Sequence, residues 1–241
     1  MARDHHYDQH FLRSPRLVAE LIGHTTIRRN DVVYDLGAGS GVITSVLARR
    51  SRQVVAVEIE PRILQTLRKN LVGLDNVTII EADMLSVPLP ETRYKVFANI
   101  PFSLSAAVVR RLTEAAYPPV AIYLIVQRQF AKKLTFGDHF TSQLGAQLAP
   151  WFSARIRRPL RKTDFTPPPA VDTVLLELRL REQPLIDENE AARYREFVEQ
   201  CYARQKFYLY QPREQVGISS EKKPSELDEQ QWVRLYQARR Q

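Results

Sequence analysis

Asn99, Ile100, Pro101 and Phe102 follow directly after an apolar segment and are suited to binding a planar amine. A side-chain amide oxygen and a backbone carbonyl can each accept one hydrogen of an aromatic amine, which frees its lone pair for reaction. Pro101 restricts the backbone beside the carbonyl of Ile100, and Phe102 offers a flat face for a nucleobase. These residue types favour substitution at the exocyclic amine of a base, although an ordinary Asn-x-Pro turn has the same pattern.

A glycine-rich turn and two carboxylates precede this motif. Residues 35–41 read DLGAGSG, between an apolar and a helical segment, and such glycines let the backbone approach a ligand. Glu58 ends the next apolar segment, where a carboxylate can accept hydrogen bonds from both ribose hydroxyls, and Asp83 could reach the amine of an adenine. The ordered set predicts a nucleoside-containing cofactor, although each carboxylate alone is also typical of a helix cap.

A nicotinamide-dependent dehydrogenase is the competing interpretation of the turn. Its glycine pattern is more often G-x-G-x-x-G, whereas Gly41 comes only two residues after Gly39 in this chain.

Alternating apolar and amphipathic segments predict the elements that would position these residues. Strands are predicted at 32–36, 53–58, 77–81, 94–99, 120–126, within 151–165 and at 172–180, and helices at 15–28, 42–48, 61–72, 103–116 and 188–204. This order predicts an α/β fold with a mainly parallel, seven-stranded, Rossmann-like sheet covered by helices. The carboxyl ends of such strands share an edge, so the motifs would line one crevice.

Composition changes after Pro184, which predicts a catalytic domain at 1–181 and a small helical domain at 182–241. The single cysteine, Cys201, forbids an internal disulfide and argues against a thiolate metal cluster, so no metal is predicted. No apolar run approaches the length of a membrane span, and the polar N-terminus does not resemble a signal peptide. We therefore expect a cytoplasmic monomer without a membrane partner.

The charge distribution points to a polyanionic partner. The chain has a formal net charge of +8, which favours phosphate binding but also serves simple solubility. Basic residues are densest just before Phe165, at Arg155, Arg157, Arg158, Arg161 and Lys162. A run this dense beside a predicted base pocket is typical of phosphate contacts, with RNA recognised by shape and by an unpaired base.

The motifs together resemble the ribosomal RNA adenine N6-methyltransferase family. The resemblance is carried by QHFL at 9–12, the glycine turn, VEIE at 57–60, Asp83, NIPF at 99–102 and FTPPPAV at 165–171. It extends through nearly the whole chain and implies a class I methyltransferase domain that uses S-adenosyl-L-methionine.

Within that family, Ile100, the short C-terminal domain and the modest length resemble the Erm methyltransferases. These modify one adenine in the peptidyl-transferase loop of 23S rRNA and confer resistance to macrolide, lincosamide and streptogramin B antibiotics. The resemblance implies 23S rRNA, naked or in a partly assembled large subunit, as the partner. KsgA-type dimethyltransferases of small-subunit rRNA, which more often read N-L-P-Y, are the main alternative.

Two further alternatives use the same fold. A non-catalytic RNA-binding factor is disfavoured by the intact Glu58, Asp83 and Asn99, and a small-molecule methyltransferase is disfavoured by the basic run. Whether one or two methyl groups are added is left open.

The resemblance also implies a set of site residues. The cofactor contacts are His10, Leu12, Gly37, Gly39, Glu58, Asp83 and Asn99, and the base contacts include Phe102 and Phe165. His10 stands where the family usually has asparagine, and an imidazole can still donate or accept a hydrogen bond. Phe102 stands where tyrosine is frequent, so it keeps the aromatic face and lacks the hydroxyl.

Overall fold

The computed structural model of the protein describes residues 10–137 and 140–239. Its strands are β1 Phe11–Leu12, β2 Val32–Leu36, β3 Gln53–Glu58, β4 Val77–Glu81, β5 Lys95–Asn99, β6 Ala121–Gln127, β7 Phe152–Leu160, β8 Phe165–Thr166 and β9 Thr173–Leu180. Its α-helices are α1 Pro15–Gly23, α2 Val42–Ala48, α3 Pro61–Asn70, α4 Ser105–Thr113, α5 Arg128–Leu134, α6 Gln143–Leu148, α7 Ala191–Ala203, α8 Gln205–Leu209 and α9 Glu229–Ala238.

Seven of these strands form one sheet in the order β4-β3-β2-β5-β6-β9-β7. The pairs β2–β3, β3–β4, β2–β5 and β5–β6 are parallel, which confirms the predicted Rossmann-like sheet. The strand order reverses between β2 and β5, because β3 and β4 add on one side and β5 and β6 on the other. In an open parallel sheet such a reversal opens a crevice at the carboxyl ends of the strands.

The strands form because their apolar residues can be buried on both faces. In β6 every residue from Ala121 to Val126 is buried, and β5 is buried from Lys95 to Ala98. A strand without a polar face is stable only between two layers, and α1 and α2, which pack against each other, contribute to the cluster that includes Phe97, Tyr123 and Ile125.

Several element ends differ from the sequence prediction. Helix α1 ends at Gly23 rather than at residue 28, because the Thr25 hydroxyl donates to the Ile22 carbonyl (2.7 Å) and the amide of Thr26 donates to the Tyr123 hydroxyl (2.9 Å). The predicted helix at 103–116 is a 3-10 turn over Phe102–Leu104 followed by α4. Helices α5 and α6 were not predicted, and each has only six or seven residues over which to show a period.

The chain forms two compact units that alternate along the sequence. The first comprises residues up to Arg128 together with Ile156–Leu178, and the second comprises Gln129–Arg155 together with the residues from Arg179 onward. A single boundary after residue 181 does not describe this division. A change in composition along the chain cannot show that residues 129–155 belong to the same unit as the C-terminal helices. The predicted domain bounds, 1–181 and 182–241, therefore stay a prediction.

The second unit has an aromatic core. Tyr194 and Phe197 of α7 contact Tyr236 of α9 at ring-centroid distances of 5.2 and 5.5 Å, and Phe197 also meets Trp232 edge-on. Cys201 is buried among them, and this burial raises the pKa of its thiol to about 12, which suits a packing residue. Within the described ranges, no helix is both long and apolar enough to cross a bilayer.

Gly41 is expected to be essential for packing at the start of α2. It has a φ of +88°, and a Cβ there would lie 2.8 Å from Leu67 Cδ1. Gly41→Ala should lower the free energy of unfolding by about 1–2 kcal/mol through backbone strain and by a further 1–3 kcal/mol, roughly, through overpacking.

Gly73→Ala is the matched control, because Gly73 has a φ of +81° and nothing within 4 Å of the added Cβ. Urea denaturation of both variants should show the smaller loss for Gly73→Ala. Equal losses would mean that the contact with Leu67 relaxes without cost.

Candidate active site

A cavity of about 350 Å³ opens at the carboxyl ends of β2, β3 and β5, where the strand order reverses. This volume lies at the lower end of the range of small-molecule sites. The structure brings together in its walls all the predicted cofactor residues and the whole NIPF motif, namely His10, Leu12, Gly37, Gly39, Glu58, Asp83, Asn99, Ile100, Pro101 and Phe102.

Glu58 at the end of β3 is held rigidly by backbone amides. Its Oε1 accepts hydrogen bonds from Ile59 (2.9 Å) and Glu60 (3.0 Å), and its Oε2 accepts one from Gly39 (2.9 Å). A carboxylate has about four acceptor sites, so one remains, on Oε2. The sequence predicted bonds to two ribose hydroxyls, whereas this geometry leaves room for one unless a backbone bond is shared.

Asp83 follows β4 and is half-buried in the cavity wall. Its Oδ1 accepts a hydrogen bond from the amide of Leu85 at 2.8 Å, which orients the carboxylate. Its Oδ2 has no hydrogen-bond partner within the described part of the chain and can accept a bond from an amine.

The side-chain amide of Asn99 is oriented by the N-terminal segment. Its Nδ2 donates to the backbone carbonyl of His10 at 2.6 Å. Because only the amide nitrogen can donate to a carbonyl, this bond determines which end of the amide is oxygen, and it leaves Oδ1 as an acceptor.

His10 connects the NIPF motif with the proline-rich segment. Its Nδ1 lies 2.8 Å from the carbonyl of Pro167, and its ring lies 5.4 Å from the ring of Phe102. Because a carbonyl only accepts, Nδ1 is the donor in this pair. Gln9, the preceding residue of the predicted motif, lies outside the described residues.

Strand β1 is held in place by β8. The two pair antiparallel, with Phe11 opposite Thr166 and Leu12 opposite Phe165. The ring of Phe11 then lies so close to Gly39 that a Cβ there would meet it at 3.3 Å. A side chain at position 39 would therefore push Phe11 away from the glycine turn.

Sequence reasoning missed the apolar part of the cavity wall. Phe11 lines the cavity, and so do Ile59, Ile63, Met84 and Leu85. Most are immediate neighbours of predicted polar residues: Ile59 follows Glu58, and Met84 follows Asp83. These apolar residues could have been predicted from the sequence, because they stand next to the carboxylates that were assigned to the cofactor.

Phe165 does not line this cavity. It is fully buried within the hydrophobic cluster of the first unit, together with Leu12 and Leu160. A buried ring has no free face for a base, so the predicted stacking on Phe165 stays a prediction that requires its side chain to move.

The five predicted RNA-binding cations differ in their surroundings. Arg157 lies 3.7 Å from Glu177 and donates to the His24 carbonyl, and Arg158 pairs with Glu20, an ion pair that lowers the pKa of the Glu20 carboxyl. Lys162 donates to the Ala170 carbonyl at 2.6 Å.

Arg155 and Arg161 are exposed, and neither has an acidic partner for its guanidinium among the described residues. Arg155 belongs to the second unit and Arg161 to the first.

Comparison with known proteins agrees with this geometry. The family described as ribosomal RNA adenine dimethylase matches residues 2–219. The chain belongs to this family. It is thus an rRNA adenine N6-methyltransferase by family, and an enzyme.

Two relatives and one solved structure illustrate the similarity. An rRNA adenine N-6-methyltransferase of Saccharopolyspora erythraea is 32% identical over 81% of this chain and 51% of its own length. Mycinamicin-resistance protein MyrB of Micromonospora griseorubida is 32% identical over 77% of this chain and 57% of its own. The chain therefore spans only about half the length of these relatives.

The solved structure is the crystal structure of the 23S rRNA methyltransferase ErmE. It superposes with a TM-score of 0.85 at 28% identity, over 96% of this chain and all of that one. The mainly parallel sheet and the helical C-terminal region are thus shared with the ErmE structure over almost the full length of this chain.

Asp35 lies in β2, two residues before the first glycine of the turn, and is a fully buried acid that does not line the cavity. Thr44 donates to its Oδ2 at 2.6 Å, while its Oδ1 is buried without a partner among the described residues. Burial raises the pKa of Asp35 to about 7, and the nearby negative charge of Glu58 adds to the rise, against the hydrogen bond from Thr44.

Asp35 should therefore make stability pH-dependent. The carboxyl of Asp35 keeps its proton to a higher pH in the native protein than in the unfolded chain. Its contribution to the free energy of unfolding is therefore largest below about pH 4 and decreases as the pH rises towards 7. Asp35→Asn removes the titration and keeps an acceptor for Thr44.

In urea denaturation of cofactor-free protein, the free energy of unfolding of the wild type should fall relative to Asp35→Asn between pH 4 and pH 8. The expected change is about 1.4 kcal/mol for each unit of pKa difference. A constant difference between the two proteins across this range would contradict the raised pKa.

Proposed function

We propose that this cavity performs S-adenosyl-L-methionine-dependent methylation of an adenine N6 in 23S rRNA, which would confer resistance to macrolide, lincosamide and streptogramin B antibiotics. The observation that carries the proposal is the orientation of Asn99. Its Nδ2 is bound to the His10 carbonyl, so its Oδ1 is left as an acceptor beside Ile100 and Phe102.

The chain's residues fit the proposed cofactor. The remaining acceptor site on Glu58 Oε2 suits a ribose hydroxyl, and the unpartnered Oδ2 of Asp83 suits the amine of an adenine ring. Ile59, Met84 and Leu85 supply apolar surface against which an adenine can pack. When bound, S-adenosyl-L-methionine supplies an electrophilic methyl group on a sulfonium.

The reacting base would be bound by the NIPF motif. Asn99 Oδ1 and the carbonyl of Ile100 accept the two N6 hydrogens, and this favours a pyramidal nitrogen whose lone pair can attack the methyl carbon. Phe102 stacks on the base after it has left its helix. The cofactor would supply the methyl group by exchanging its S–C bond for a C–N bond to the amine held by Asn99 and Ile100, and N6 would release one proton to solvent.

No strong general base is needed in this scheme. The N6 proton becomes acidic only after the nitrogen has gained the methyl group and a positive charge. The half-buried Asn99 therefore acts through hydrogen bonding and orientation, as a group that stays uncharged throughout.

The choice of 23S rRNA rests on similarity to named relatives. The structural neighbour ErmE carries that substrate in its name, and MyrB carries resistance to mycinamicin in its name. Isoleucine at position 100 of the NIPF motif is the feature shared with the Erm motif. Its backbone carbonyl would bind an adenine of small-subunit rRNA equally well.

Asn99→Ala should nearly abolish methyl transfer to large-subunit RNA. The variant lacks Oδ1, the acceptor that the bond to the His10 carbonyl orients for the adenine amine. We expect kcat to fall by about 10²-fold or more, the size of loss typical of a removed transition-state hydrogen bond. Cofactor affinity measured by calorimetry should stay within a few-fold of wild type. Unchanged turnover would contradict the role given to Asn99.

The RNA substrate can be identified by mass spectrometry of rRNA from cells with and without the gene. We expect N6-methylated adenine in 23S rRNA, together with increased tolerance of a macrolide. Methylation confined to small-subunit rRNA, with no change in tolerance, would replace the proposed substrate with that of the KsgA-type enzymes.

A further inference from the structure

Strand β1 leads directly from the cavity to the protein surface. Phe11 lines the cavity and is 41% exposed, Leu12 is buried, and Arg13 is exposed. Successive side chains of an extended segment point to opposite faces, so Arg13 lies on the same face as Phe11. Two residues advance the chain by about 6.6 Å, which is the scale of one nucleotide step along a sugar–phosphate chain.

The backbone at Arg13 is anchored on the neighbouring segment. Its amide donates to the carbonyl of Asp164 at 3.0 Å and so continues the pairing of β1 with β8. The carboxylate of Asp164 is itself used by the backbone, because its Oδ2 accepts from the amide of Arg161 at 2.8 Å. Arg13 and Arg161 are thereby attached to the same short turn.

The guanidinium of Arg13 is available for a ligand. Among the described residues it has no acidic partner, whereas Arg157 and Arg158 pair with Glu177 and Glu20. An ion pair weakens the attraction of a cation for phosphate, so Arg13 is better suited to bind an anion than either of those two.

We propose that Arg13 binds the phosphate of the nucleotide next to the reacting adenosine. The inference rests on the proposed function in so far as RNA is the substrate. Removing a base from its stack costs a few kcal/mol, and a bound flanking phosphate is one way to offset this cost. Arginine suits the task because its planar guanidinium can donate two parallel hydrogen bonds to one phosphate.

The salt dependence of RNA binding tests this contact. For the wild type and Arg13→Ala, the dissociation constant of a fragment of the 23S peptidyl-transferase region is measured over a series of salt concentrations. Losing one phosphate contact should lower the slope of log K against log salt by about 0.7–0.9. At low salt we expect binding to weaken by roughly tenfold, an effect of the size of one charged hydrogen bond.

Two further variants separate the phosphate contact from other effects. Arg52→Ala removes the same charge from an exposed residue just before β3, at the opposite end of the strands from the cavity, and should leave the slope unchanged. Arg13→Lys keeps the charge and should restore the slope with only part of the affinity. Calorimetry with S-adenosyl-L-methionine checks that the cavity of each variant is intact.

The outcomes distinguish this inference from the proposed function. An unchanged slope for Arg13→Ala, or an equal decrease for Arg52→Ala, overturns the phosphate contact whatever the enzyme methylates. If the slope differs between the wild type and Arg13→Ala as expected, but the wild type does not methylate the fragment, the phosphate contact is supported and the proposed 23S substrate is overturned. A wild type that does not bind RNA overturns both.

Discussion

Burial of the parallel strands on both faces is the constraint on which the site depends. Strands β2, β3 and β5 have almost no exposed residues, so their polar side chains lie mainly at the strand ends. Gln53 and Lys95 begin β3 and β5, and the polar groups that face the cavity lie at the carboxyl ends. Glu58 and Asn99 stand at such ends, beside the glycine turn that follows β2. Because the strand order reverses between β2 and β5, these ends open into one crevice rather than being covered by a connection.

Asp35 is a polar residue inside a buried strand, and its surroundings raise the free energy of its charged form. It lies inside β2, fully buried, with one oxygen bound to Thr44 and the other without a partner among the described residues. The raised pKa of this carboxyl is the direct result. Glu58, in contrast, is nearly as buried but accepts three backbone amide hydrogens, which replace most of its hydration.

A segment of only four residues completes the cavity. His10 orients Asn99 through its carbonyl and binds Pro167 through its ring, while Phe11 covers the glycine turn and Arg13 faces outward. The contact with Asn99 does not depend on the histidine side chain, because it uses the backbone carbonyl of residue 10. The imidazole adds a link to the proline-rich segment.

The sequence by itself determined the succession of the seven sheet strands, the glycine turn, the carboxylates near the strand ends and the NIPF motif, because each depends on local pattern or on spacing along the chain. Strands β2, β3 and β4 begin and end where the pattern predicted. The side chain of Ile100 matches the motif of the 23S enzymes but has no role in the proposed contact. That contact uses the backbone carbonyl, which every residue has.

The tertiary structure decided which groups are free to act. It left Glu58 one acceptor site, buried Phe165 away from the cavity and paired Arg157 and Arg158 with acids. It also joined residues 10–13 to 164–167. These outcomes depend on contacts between residues up to 157 positions apart, as in the bond from His10 to Pro167, and no local pattern encodes them.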